Sequence, residues 1–290
     1  MDALPEGHEV RDDLVRASEL ATSNPLLNQI YEAVLWGAKD NYRSIPTDCP
    51  QRDERQGWLG DRSRENPGET YLFDVATFYA KWVADMGHAQ DAGGRISDDS
   101  PAYWPFYSDN VTCPASFIMV TNHLYEQYGE VRVIEQSFPG MRKWITHMET
   151  YLQNGLMPRD AYGNRGVPPE SPELIHSYDP NRKTDATVIG IAYFCRLLRL
   201  MEHFAAFLGT QEGAKEYSQL AGKLLVACNK TYFHDAASQY SNESDTSSLL
   251  PLAFRTVPEE DRGALRIPRD AESKIRRKTI LRPCSSADNG

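Results

Sequence analysis

Apolar residues recur at helical spacing along most of this 290-residue chain, and no stretch alternates in the way of a half-buried strand. Such a chain can only pack helix on helix, so its class is all-α. The joints between the helices are of two kinds. Gly129 and Glu130 separate a helix expected over 114–128 from one expected over 131–153, and so short a joint makes the two an antiparallel pair. By contrast, 95–112 is polar, aromatic and irregular, and 154–182 is rich in Pro and Gly. Long loops inside a compact domain usually carry function. Short turns alternating with long loops are what a toroid of helical hairpins requires, with the long loops gathered at one end.

The remaining helices follow from their ends. Ser23-Asn24-Pro25 supplies a cap and a first-turn proline, and apolar positions 26, 27, 30, 34 and 38 carry that helix to about Asn41. A second is expected from about Glu69 to Gln90, through Leu72, Phe73, Ala76, Tyr79, Ala80, Val83 and Met86. Thr184 or Asp185 caps a long helix to about Leu208. Its Val188, Ile189, Ile191, Phe194, Leu197, Leu198, Met201, Phe204 and Phe207 face several ways, so burial on more than one side is expected. Another helix spans about 212–233, then a short turn or hairpin through Tyr232–Asp235 and Gln239-Tyr240, and a last helix begins near Thr246. This makes about seven helices. From about Gly263 the chain turns basic and loses its apolar spacing, which reads as a disordered tail over 263–290. The expected helical domain is 23–262, with 1–22 a connection from an upstream domain.

Chemistry concentrates in one loop, Thr47-Asp48-Cys49-Pro50-Gln51-Arg52-Asp53-Glu54-Arg55-Gln56-Gly57-Trp58-Leu59-Gly60-Asp61. Pro50 disfavours helix at Cys49, and Gly57 and Gly60 permit backbone angles that other residues avoid. Carboxyls at 48, 53, 54 and 61 repel one another unless paired or separated, which is how one carboxyl is kept protonated while its neighbours ionise. A flat indole beside carboxylates and a guanidinium suits a sugar, whose C–H face stacks on the ring while its hydroxyls need donors and acceptors. The plain alternative is a surface loop of mutual salt bridges, and residue types leave both open. In 95–112, Asp109 is a further candidate for touching sugar, against the alternative that this segment is a packed connector. Glu170, Glu173, His176 and Asp179 crowd the other long loop; a lone His there is more often structural, and no metal is expected.

Composition excludes several classes of partner. Forty-one acidic against 31 basic residues give a net charge of −10, which opposes duplex nucleic acid or an anionic membrane and leaves a neutral sugar unaffected. Five cysteines, at 49, 113, 195, 228 and 284, form no CxxC pair, so neither a disulfide framework nor a zinc site is indicated, and no cofactor is expected. Cys195 and Cys228 fall within helical patterns as buried small hydrophobes. No apolar run reaches the length of a membrane span, and the charged start has no signal-peptide core.

The run DCPQRDERQGWLGD resembles the signature of bacterial α-L-rhamnosidases of glycoside hydrolase family 78. Looser matches continue through SNPLLNQIYEAVLW, GETYLFD, WPFYSDNVT, PPESPELIHSYDP, the helix after Lys183-Thr184-Asp185, and TSSLLPLAF. The resemblance implies a six-hairpin (α/α)6 barrel, of which seven helices would close only part. It implies an inverting hydrolase of rhamnose-containing oligosaccharides or glycosides, with Glu54 as general acid and Asp48, Arg52, Trp58 and Asp61 lining the rhamnose site. Crowding by Asp48, Asp53 and Asp61 would keep Glu54 protonated, with Arg52 opposing. The family's general base is a Glu on a later helix, expected beyond the end of this chain. Two departures remove stacking surface: Cys113 in the stretch Thr112-Cys113-Pro114, and Gly163-Asn164-Arg165, where many relatives carry Trp. A non-hydrolytic remnant, or a helical-toroid glycosidase or lyase for another sugar, are the alternatives.

Overall fold

Helices account for nearly all the regular structure in the computed structural model, which describes residues 10–163, 166–167, 169, 171, 173–234, 239–242, 244–258 and 262. The expected basic tail over 263–290, the start of the expected connection, Asn164, Arg165 and Glu170 lie outside the described residues. Eight helices are found among those described: α1 Pro25–Asp40, α2 Leu59–Glu69, α3 Ala76–His88, α4 Ser116–Tyr128, α5 Val131–Glu149, α6 Ala186–Phe207, α7 Gln211–Tyr232 and α8 Asp245–Ala253. Two two-residue strands, β1 Phe233–His234 and β2 Gln239–Tyr240, pair antiparallel as the one hairpin expected. The all-α class stands. The chain forms two compact units, one holding the residues up to Leu152 with Leu197–Leu220, the other Gln153–Arg196 with the residues from Ala221 on.

In the first unit α3, α4 and α5 pack on one another and α2 packs on α4. Trp82, Phe117, Ile118, Trp144 and Met148 fill the space between them. Gly129 takes φ +66°, the left-handed conformation that ends α4, and Glu130 then caps α5 by accepting from the Arg132 amide. Residues before α1 pair with the main body: the Asp12 amide donates to Tyr42, Ala17 to Leu72, and Asp74 to Val15.

Two elements differ from expectation. The second helix begins at Ala76, not Glu69, and α2 precedes it inside what reads as loop; residues 62–69 are almost wholly polar, so no apolar period announces α2. The first helix starts as expected, with the Asn24 side chain accepting from the Leu26 amide. Its apolar stripe nevertheless faces out: Leu26, Leu27, Ile30 and Val34 are exposed and Leu35 is buried instead. Hydrogen bonds fix that rotation, with Tyr31 Oη donating to the Ser18 carbonyl and Asn28 bonded to Thr22.

In the second unit Asp185, rather than Thr184, caps α6, its Oδ1 accepting from the Thr187 amide at 2.7 Å. Gly190 lies so close to the Met157 carbonyl that a Cβ would come within 2.5 Å. The hairpin is held by Phe233 against Tyr240 and by Tyr240 Oη donating to Asn229 Oδ1. Along α6, whose Leu197–Phe207 belong to the first unit, the apolar residues from Val188 through Phe204 are buried as expected; Phe207, at the helix end beside Tyr125 of that first unit, is exposed. Cys195 and Cys228 are buried, and burial, with the charge of Asp185 adding, pushes the Cys228 thiol up to about 12. No helix among the described residues is long and apolar enough to cross a membrane.

Candidate active site

The acidic loop is closed at its base by the Asp48 amide donating to the Gln56 carbonyl at 2.9 Å, with an inner turn from the Arg52 amide to Cys49. Beyond it, residues 57–59 pair with 98–100: Leu59 donates to the Asp98 carbonyl at 2.8 Å and Ser100 to the Gly57 carbonyl at 3.0 Å. Gly57 is required by that approach, since a Cβ there would stand 2.3 Å from the Ser100 oxygen. Below the loop, Arg62 Nη2 donates to the Thr47 carbonyl at 2.7 Å while its other nitrogen pairs with Glu69, which also accepts from the Tyr79 hydroxyl. All three side chains are buried. The loop is therefore anchored from beneath and from behind.

On this base Asp53 and Glu54 project into solvent, with Arg55 half-buried. Arg55 holds φ +51°, a left-handed conformation costly for a side-chain-bearing residue and often found where function requires it. Glu54 is exposed, and its Oε1 accepts from Trp58 Nε1 at 3.1 Å. The indole is only partly exposed and meets Phe106 edge-on at 6.4 Å. Arg52 and Asp53 are exposed.

Two of the other carboxyls have partners of their own. Asp48 bonds to Asp61: burial works to raise the Asp48 carboxyl, but hydrogen bonds from Cys49 and Asp61 and the charge of Arg62 hold it below the usual range. Asp109 is also committed elsewhere. It is buried, with φ +54°; Oδ1 lies 3.2 Å from His147 Nε2, and Oδ2 accepts from Tyr151 Oη at 2.7 Å. These contacts tie the 95–112 segment to α5.

Three groups escaped the sequence reading. Arg62 and Glu69 gave no signal beyond lying in the GETYLFD neighbourhood. Asp98 was one acid among many in 95–112, yet it is 1% exposed and pushed up to about 6. Burial is the main cause; Ser108 draws it down, and the charges of Asp109 and Asp99 add to the rise. Cys113 lies against Gly60, where a Cβ would come within 2.9 Å of its sulfur. Among the described residues no group of three or more His, Cys, Asp or Glu is arranged to hold a metal ion.

Helical hairpins presenting an exposed carboxylate beside an indole place the chain among glycosidase-type helical domains. Residues 15–279 match the family model of the bacterial alpha-L-rhamnosidase 6 hairpin glycosidase domain, and the chain belongs to that family. It is similar to an alpha-L-rhamnosidase of Alteromonas sp. (strain LOR), 29% identical over 86% of this chain and 27% of the relative. In structure it is similar to the alpha-L-rhamnosidase from Dictyoglumus thermophilum (TM-score 0.78, 28% identity, 93% of this chain and 29% of that one). It is equally similar to the Streptomyces avermitilis alpha-L-rhamnosidase complexed with L-rhamnose (TM-score 0.80, 26% identity, 93% of this chain and 24% of that one). The chain thus spans about a quarter of the length of these relatives.

Proposed function

We propose that this chain takes part in hydrolysis of terminal α-L-rhamnose from oligosaccharides or glycosides, with inversion at the anomeric carbon and Glu54 as general acid. The observation that carries this is the Glu54–Trp58 contact: a solvent-accessible carboxyl fixed by an indole N–H, on a loop clamped from two sides. A general acid must reach the leaving oxygen and also be held in place when the substrate arrives. Trp58 does the second task and offers its ring face to the sugar. Asp48 and Asp61, paired beneath, and Arg52 on the rim supply acceptors and donors for hydroxyls. Asp109 acts on the site through the position of its segment.

Inversion needs a second carboxylate about 6.5–9.5 Å from the acid, to activate water on the opposite face. We assign only the acid within this chain. The test is turnover of α-L-rhamnosides with good and poor leaving groups, with the configuration of the first-formed rhamnose read by NMR. Glu54→Gln keeps the shape but cannot donate a proton, and should slow poor-leaving-group substrates by roughly 10²–10⁴-fold, the usual contribution of general acid catalysis. Undiminished turnover would remove Glu54 from the role. Rhamnose released first with retained configuration would refute inversion, and rhamnoside binding without turnover in the wild type would favour a non-hydrolytic sugar binder.

A further inference from the structure

Asp98 stands where three stretches of main chain meet behind Trp58. Its carbonyl accepts from the Leu59 amide and its own amide donates to the Phe106 carbonyl, both at 2.8 Å. The next residue, Asp99, pairs antiparallel with Trp58 itself. The Phe106 ring meets the indole edge-on at 6.4 Å, so Trp58 is bracketed by two segments that both bond to Asp98. A shift of the Asp98 main chain therefore reaches the Trp58 ring, and from its Nε1 the 3.1 Å bond to Glu54 Oε1 carries it to the exposed carboxyl.

The side chain at this junction is an acid with 1% exposure. Ser108 favours its charged form, but the charges that act on it are acidic: Asp99 beside it in the chain and Asp109 further along the segment. Asp99 is held by the Ser97 hydroxyl at 2.8 Å, and Asp109 by Tyr151 Oη and His147 Nε2. Arg95, whose charge acts on Asp109, is paired with Asp91, and among the described residues Asp98 has no cation in ion-pair contact. An ionised carboxyl without a cation in a dry setting is costly, and it is relieved by reaching water. From Asp98 the way to water is to part the two segments that close over it.

We propose that Asp98 is a positioning residue for the Glu54–Trp58 pair: with its proton it lets the 57–59 and Phe106 segments close, and without it the charge, facing Asp99 and Asp109, loosens the junction and displaces the indole. In serving a general acid the inference rests on the proposed function; the coupling of Asp98 to Trp58 does not. Burial, with Asp109 and Asp99 adding, lifts this carboxyl to about 6, so the change falls in a range where the protein can be studied folded.

The test is the indole N–H resonance of Trp58 in the isotope-labelled chain, assigned with Trp58→Phe and followed over about pH 4–8. Wild type should show a step with its midpoint at about 6. Asp98→Asn keeps the shape and has no proton to lose, so it should remove that step and leave the resonance at its low-pH position. Glu54→Gln separates the competing explanation: a step that comes from Glu54 vanishes in that variant, whereas the one proposed here survives. Ser108→Ala keeps the Asp98 carboxyl and removes a group that favours its charge, so the midpoint should move up. The inference is overturned if wild type shows no step near about 6, if the step outlasts Asp98→Asn, if it disappears in Glu54→Gln, or if Ser108→Ala leaves the midpoint in place. None of these readings needs turnover, so a failure to hydrolyse rhamnosides would count against the proposed function alone.

Discussion

Replacing Asp98 by Asn should stabilise the protein, and more so as pH rises. The Asp98 carboxyl is buried and sits at about 6 in the fold against an ordinary value of 3.8. A carboxyl raised on folding contributes stability fully below the unfolded value. Between the two values the unfolded chain has released its proton and the folded chain has not, so stability falls as pH rises, by about 1.4 kcal/mol per unit. The fall ends above about 6, when both states are ionised, at a total of about 3 kcal/mol. Roughly half of it has occurred by about pH 5, so wild type loses about a further 1.4 kcal/mol from this group by about pH 7.5. Asn keeps the shape and carries no charge. The difference in unfolding free energy between variant and wild type should therefore widen by about 1.4 kcal/mol over that interval, a growth of roughly 3–6 °C in the gap between melting temperatures. Thermal melts of both proteins in matched buffers measure it. A constant or narrowing gap would refute the placement of an ionisable group in a dry pocket behind Trp58.

Other perturbations follow from the same frame. Glu69→Ala strands Arg62 as a buried charge without its carboxylate and should cost about 3–5 kcal/mol, seen in urea or thermal unfolding; a loss under about 1 kcal/mol would mean water reaches the pair. Gly57→Ala drives a Cβ into the Ser100 carbonyl and should cost about 1–3 kcal/mol while shifting Trp58 fluorescence, whereas an unchanged protein would deny the pairing of 57–59 with 98–100. Cys228, buried and pushed up to about 12, should resist alkylation at about pH 8 until the chain unfolds, read by mass spectrometry of quenched digests.

The helices were legible where local chemistry announces them. Asn24-Pro25 and Gly129 fix ends through backbone requirements that act within a few residues, and the apolar faces of α6 leave no arrangement but burial. What escaped depends on tertiary partners. α2 has no apolar period: after Leu59 its sequence is almost wholly polar, and two of its residues, Arg62 and Glu69, form a buried pair. The apolar stripe of α1 was legible as a stripe, but which face turns inward is set by Tyr31 and Asn28 bonding to Ser18 and Thr22, contacts that no periodicity encodes. In the site, the motif named Glu54 and Trp58, and the structure brings them into contact. Among its carboxyls, Asp48 bonds to Asp61 beside the charge of Arg62, and Glu54 accepts from the indole. Charge spacing along a loop does not say which acids face one another.

The division of labour in the loop has a physical reason. An acid that must meet substrate has to stand at the surface, yet surface side chains are mobile, and a loosely held acid loses the advantage of pre-positioning. In the role proposed for Glu54, burial would fix the carboxyl only by closing the route for the leaving oxygen. The chain instead buries other polar groups: Arg62, Glu69 and Tyr79 below, and Ser97, Asp98 and Asp99 behind. Their hydrogen bonds end on backbone at Thr47 and on the strand-like pairing of 57–59 with 98–100, so the rigidity reaches Glu54 through the main chain and the Trp58 ring. The left-handed backbone at Arg55 fits this account, because strain of that kind persists only where the surrounding contacts over-determine the conformation. Buried ion pairs and a carboxyl lifted by desolvation add little to stability and can subtract from it. Their presence beneath and behind one exposed glutamate is better explained by the geometry they impose on it than by the stability of the fold.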